Sequence, residues 1–226
     1  MINIGTDIDL KSHLLIGGES GSGKSVAMNG LIIECLMDNP QNEVYLFDPK
    51  LVEFNRYKNI APVFTKIADM SDALSSLHRV MMDRYDIMSD SGLVEWSDGH
   101  IYIFIDEYGA IKNYHNKVIA KKIQNIVEDI AMMGRAAGVH LIIATQYPTR
   151  EVVNMQLKMN CQKLVLRCNS DIGYRVMSDK KYYDLKGNGD AYLVDAQSRV
   201  TRFQVNYYSN ELVTEFIKEC EKYYHI

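Results

Sequence analysis

Residues 18–25 read GESGSGKS, with the apolar run His13-Leu14-Leu15-Ile16 just before them and a helical pattern just after. The stretch completes the pattern G-x-x-x-x-G-K-[ST], in which glycines let successive backbone N–H groups curl round an anion without a Cβ in the way. Gly18, Glu19, Ser20, Gly21, Ser22 and Gly23 form the expected cradle. Lys24, Ser25 and Val26 open the helix behind it, whose positive dipole end faces the phosphates. Lys24 is long enough to reach the β and γ phosphates of a nucleoside triphosphate, and the Ser25 hydroxyl is a hard oxygen donor suited to Mg²⁺. A strand before and a helix after separate this loop from a chance glycine turn.

Outward from the loop, the pattern alternates strand and helix. A helix runs from about Lys24 to Met37 and stops before Asn39-Pro40, and a strand at Glu43–Phe47 ends at Asp48-Pro49-Lys50. A second helix is expected from Ser71, its cap, to Met88, with Leu74, Leu77, Val80, Met81 and Met88 as an apolar stripe. After the polar stretch from Ser89 to Gly99, Ile101 to Ile105 is a continuous apolar run, the mark of a strand buried on both faces. Asn116 to Ala137 reads as a long helix closed by Gly138, followed by a strand from Val139 to Ala144. The remainder gives a short helix near Val152 to Met159, a strand at Lys163 to Arg167 and a helical turn near Ile172 to Met177. Strands around Ala191–Val194 and Thr201–Asn206 and a helix from Asn210 end the pattern. Such alternation predicts an α/β fold with a mostly parallel central sheet flanked by helices.

The segment HIYIFIDEY, residues 100–108, delivers Asp106 and Glu107 at the carboxyl end of the buried strand, the edge where ligands bind in such sheets. Asp106 is expected to hold Mg²⁺ through water. Glu107 is expected to polarise the water that attacks the γ phosphate. Ala144-Thr145-Gln146 closes the next apolar strand, so Gln146 reaches the same edge, where an amide can sense the γ phosphate or place a water.

Composition bounds the rest. A chain of 226 residues fits one domain, residues 1–226, and 47% hydrophobic with 24% charged residues fits a chain folded throughout. A formal net charge of −4 argues against coating nucleic acid through bulk positive charge, yet leaves a few channel-facing residues free to grip phosphates. The apolar runs are far shorter than the roughly 20 residues a membrane-spanning helix needs, and no signal peptide opens the chain. The expectation is a cytoplasmic protein with no membrane insertion. Cys35, Cys161, Cys168 and Cys220 lie far apart without metal-ligand spacing, so neither a metal cluster nor disulfides are expected.

Five segments together resemble the motor domain of the FtsK/SpoIIIE family of DNA translocases, a branch of the HerA-FtsK group of hexameric ATPases. They are HLLIGGESGSGKS (13–25), FDPKLVEF (47–54), IFIDEY (103–108), RAAGVHLIIATQYP (135–148) and GNGDAYLV (187–194). The resemblance implies a RecA-like P-loop NTPase that uses ATP and Mg²⁺ and assembles as a homo-hexamer around double-stranded DNA. It also implies that Arg175, in DIGYRVMSD (171–179), is an arginine finger acting on a neighbouring subunit's nucleotide; Arg135, Arg150 and Arg167 stay open as alternatives. For the DNA contact, Arg150, Lys158 and Lys163 lie after Gln146, and KNYHNK (112–117) is a second candidate. The resemblance covers a minimal motor, without the membrane segments or winged-helix module of chromosome pumps, and suits a phage or mobile element with replication, packaging or conjugation proteins as partners. Two alternatives share the site: a conjugation-coupling or secretion ATPase moving a protein or relaxase-bound strand, and a nucleotide-gated assembly module.

Overall fold

The structure is a computed structural model that describes residues 8–168, 171–178, 182 and 184–222, apart from the side chains at 172, 175, 178 and 203. β1 (His13–Gly17) runs into the glycine loop and α1 (Lys24–Asp38), followed by β2 (Glu43–Phe47), a short β3 (Val63–Phe64) and α2 (Ile67–Ser91). β4 (Ile101–Ile105) leads through the five-residue α3 (Tyr108–Lys112) to α4 (Lys117–Met133). Next come β5 (Val139–Thr145), α5 (Met155–Asn160), β6 (Cys161–Leu166) and α6 (Asp171–Ser178). An antiparallel pair, β7 (Asp190–Val194) and β8 (Val200–Gln204), precedes α7 (Asn210–Cys220).

The strands form one eight-stranded sheet in the order β3-β2-β4-β5-β1-β6-β7-β8. Pairing is parallel from β3 through β6, where helical crossovers separate the strands, and antiparallel from β6 onward, where β7 and β8 are joined by a tight turn. The mostly parallel sheet expected from the strand–helix alternation is therefore the observed architecture, with an antiparallel pair added at one edge.

Two apolar layers sandwich the central strands. Alternate residues point to opposite faces, so Leu15, Ile103, Ile105, Leu141 and Ile143 pack against α2 and α4. Leu14, Ile16, Phe104, Ile142 and Ala144 pack on the other side against Met28, Leu31 and Ile32 of α1. Burial on both faces explains the continuous apolar runs in β1, β4 and β5.

Helix ends differ from expectation for local reasons. Ser71 is not a cap: α2 starts at Ile67 after Lys66, because Ile67 and Met70 extend the stripe by another turn, and Ser71 is buried inside the helix. Val80 falls off the buried stripe and is 39% exposed. α4 ends at Met133 rather than Ala137, since residues 134–138 make the turn that returns the chain to β5, with Val139 N–H bonded to Gly134 O. Asn116 caps that helix, accepting from Val118 and Ile119 N–H. β6 starts at Cys161, two residues before the strand start expected at Lys163, so Lys163 lies inside the strand.

β5 lies between β1 and β4, with Gly17 beside Thr145 and Ile105 beside Ile143. This order sets the glycine loop, the Thr145-Gln146 strand end and the Asp106-Glu107 pair side by side along one sheet edge.

Candidate phosphoryl-transfer site

The glycine loop is stitched to the strand ends around it. Gly18 N–H donates to Thr145 O at 3.3 Å and Glu19 N–H to Arg167 O at 2.8 Å. Gly23 caps α1 with φ 107°, a left-handed conformation open to glycine. A Cβ there would lie 2.6 Å from the backbone nitrogen of Gly189, so the loop rests directly on the turn 187–190. Gly189 N–H in turn donates to Ser22 O at 2.8 Å. The GNGD segment thus has a physical task that the sequence reading left unassigned: it buttresses the phosphate loop from behind.

Lys24 is 7% exposed, and burial holds its ammonium below the usual lysine range, while Asp106 and Glu107 oppose that shift. Glu19, also buried, forms an ion pair with Arg167 of the same chain. Arg167 further donates to Lys186 O at 3.3 Å, which ties the phosphate loop, the end of β6 and the approach to the glycine turn together. An arginine held in this way by its own chain is a poor candidate for reaching a neighbour.

The acid pair stands where β4 ends. Burial pushes the Asp106 carboxyl up to about 6, with Glu53 and Asp48 adding to the effect and Lys24 working against it. Glu107 is almost fully buried and has a left-handed backbone, φ 55° and ψ 65°, which costs a non-glycine residue about 1–2 kcal/mol. Three donors hold its carboxylate. Thr145 Oγ1 donates to Oε1 at 3.0 Å, Gln146 N–H donates to Oε1 and Oε2 at 3.2 and 3.0 Å, and Lys50 Nζ donates to Oε2 at 3.1 Å.

Lys50 and Glu53 are the site residues that sequence reasoning missed. Their turn is shaped by Asp48, fully buried, whose carboxylate accepts the N–H groups of Lys50, Glu53 and Phe54. The usable signal was the charged DPKLVE stretch directly after a strand ending at the same sheet edge.

A cavity of about 470 Å³ opens above the loop. Ser20, Gly21, Lys24 and Ser25 of the loop line it together with Glu53 and Gln146. Asn188, Val205 and the exposed Tyr207 also line it. A lining that combines the phosphate loop with Val205 and an exposed tyrosine ring suits a phosphate chain attached to a planar base. The donor set also suits Mg²⁺: the Ser25 hydroxyl and Asp106 carboxylate are hard oxygens, and the crowding of Glu53, Asp48 and Glu107 around Asp106 is negative charge that a divalent cation would relieve.

The remaining predicted residues are dispersed. Arg150 is exposed in the loop after β5, Lys158 is half-buried on α5, and Lys163 is half-buried inside β6 between β1 and β7. These three do not share one loop. Arg175 belongs to α6, and its side chain lies outside the described residues. Among the described residues no helix is long and apolar enough to cross a membrane.

The sequence model of the FtsK/SpoIIIE family matches residues 3–119. The chain is similar to the DNA translocase FtsK of Sporosarcina ureae, 31% identical over 96% of this chain and 31% of that protein. It is similar to that of Listeria monocytogenes, 30% identical over 95% of this chain and 34% of that protein. The chain thus spans about a third of the length of these curated relatives. Among solved structures, the pCW3 conjugation coupling protein TcpA, in a monomer form with ATPγS, has a TM-score of 0.84 at 21% identity, over 94% of this chain and 66% of that one. EssC (ATPases 2 and 3) from Geobacillus thermodenitrificans has a TM-score of 0.74 at 16% identity, over 94% and 43%. These likenesses identify the fold as that of RecA-like P-loop ATPases.

Proposed function

This chain belongs to the FtsK/SpoIIIE family, and from that membership together with its acid pair and phosphate loop we propose that it hydrolyses ATP to move double-stranded DNA. The observation that carries the reading is the shared sheet edge: Lys24 and Gln146 line one cavity, Gln146 N–H donates to the Glu107 carboxylate, and Asp106 and Glu107 lie close enough to Lys24 to stabilise its charge. In this reading the loop N–H groups and Lys24 bind the β and γ phosphates, the Ser25 hydroxyl would ligate Mg²⁺, and Asp106 would hold it through water. Held there, Mg²⁺ would supply positive charge against the phosphate oxygens. Glu107 orients a water whose oxygen bonds to the γ phosphorus as the bridging bond to the β phosphate breaks; ADP leaves, and the water's proton passes to the carboxylate. Gln146 reports the presence of the γ phosphate to the segment that follows it.

The same reading makes the working form a ring, a homo-hexamer, in the cytoplasm. Arg175 from a neighbour completes each site, and Arg150 and Lys158 face the DNA; Lys163, held within the sheet, is the weakest member of that set. The test is ATP turnover with Mg²⁺, measured with and without duplex DNA over a range of protein concentration. Turnover is expected to rise on duplex DNA, and the rise to fade with added salt as phosphate contacts are screened. Turnover indifferent to DNA at every concentration would count against translocation.

A further inference from the structure

Lys50 stands in the Asp-Pro-Lys turn at the catalytic edge, and the reading above gives it no task. Its backbone is fixed, because the Asp48 carboxylate accepts its N–H at 3.2 Å along with those of Glu53 and Phe54. Its side chain is 37% exposed, whereas the Glu107 side chain it meets at 3.1 Å is 5% exposed. An ammonium on a fixed stem has therefore been brought across 57 residues of sequence to Oε2 of the proposed base.

That contact conflicts with the duty assigned to Glu107. Oε1 is held by Thr145 and Gln146, and Oε2 by Gln146 and Lys50. Oε2 thus already accepts from two donors, which leaves no free lone pair on it for a water proton. The Thr145 and Gln146 contacts aim the carboxylate and can persist during reaction; the Lys50 contact is the one that must yield for Oε2 to take a water proton. Lys50 also lies close enough to Lys24 for the two cations to repel. Two ammonium groups beside a phosphate cradle are matched by an anion of more than one charge.

We propose that Lys50 is a positioning residue that exchanges partners, pairing with Glu107 at 3.1 Å and passing its ammonium to the γ phosphate once ATP is bound, which opens Oε2 to the attacking water. The inference rests on the ATPase reading and deepens it, by making release of the base depend on the γ phosphate itself. ADP, which lacks that group, leaves the lysine on Glu107.

The experiment uses the full chain with Mg²⁺ and compares binding of a slowly hydrolysed ATP analogue with binding of ADP. Lys50→Met is expected to weaken the analogue about tenfold, the scale of one charge-assisted contact, and to change ADP affinity by less than about twofold. Lys50→Arg is expected to restore most of the analogue's affinity. Glu107→Gln is expected to tighten the analogue, because the ammonium no longer has a carboxylate to leave, and most of that gain is expected to vanish when Lys50→Met is added. Equal losses for analogue and ADP, or the same Glu107→Gln gain in both backgrounds, overturns the exchange. A wild-type chain that binds neither nucleotide overturns the ATPase reading beneath it instead. Melting curves of each variant separate these outcomes from loss of fold.

Discussion

Burial holds the carboxyl of Asp106 at about 6, with Glu53 and Asp48 pushing it the same way. Because the folded-state value lies above the ordinary one near 3.9, the unfolded chain gives up this proton first. The stability tied to this group is complete below about pH 4, declines between about pH 4 and 6, and stays reduced at pH 7. Asp106→Asn is therefore predicted to raise thermal stability at pH 7, without metal or nucleotide, by roughly 2 kcal/mol, and to lose that advantage near pH 4. Unfolding curves at the two pH values measure it. Lys24 was legible from the complete glycine pattern between β1 and α1, and Asp106 and Glu107 because they sit directly after an apolar strand, whose end has a known direction in a parallel sheet. Lys50 and Glu53 were not. Their aim depends on the three N–H groups gathered by Asp48, a tertiary arrangement that no spacing encodes.

At the scale of elements, the phosphate loop and the turn 187–190 act as one unit. Gly189 has φ 86°, donates its N–H to Ser22 O, and a Cβ on it would meet Gln204 Nε2 at 2.8 Å and Val205 Cβ at 3.1 Å. Gly189→Ala is predicted to weaken nucleotide binding at least about fivefold although residue 189 carries no phosphate-binding side chain, with a stability loss of roughly 1–2 kcal/mol. Titration of the variant with a fluorescent nucleotide, beside its melting curve, is the check. The buried strands β1, β4 and β5 were legible since burial on both faces leaves an unbroken apolar run. The two-residue β3 and the five-residue α3 are too short to carry a period, and both were missed. Helix ends failed where a neighbouring apolar residue, such as Ile67 or Met70 before Ser71, extended the stripe past the polar residue that resembled a cap.

Across the whole molecule, the fold gathers its chemistry along one edge of the sheet and leaves a net charge of −4 for the chain. The mostly parallel architecture was readable from the alternation of elements; the placement of β5 between β1 and β4 was not, because strand order is set by which crossovers pack, and local pattern is silent on that. That order is what lets Thr145 and Gln146 hold Glu107. The central claim is that Glu107 is the base of an ATP-hydrolysing site coupled to duplex DNA. It is tested most directly by steady-state ATP turnover on duplex DNA for wild type and Glu107→Gln, with nucleotide binding measured in parallel. The variant is predicted to bind ATP at least as tightly as wild type and to turn over at least about 100-fold more slowly; turnover within a few-fold of wild type would contradict the account.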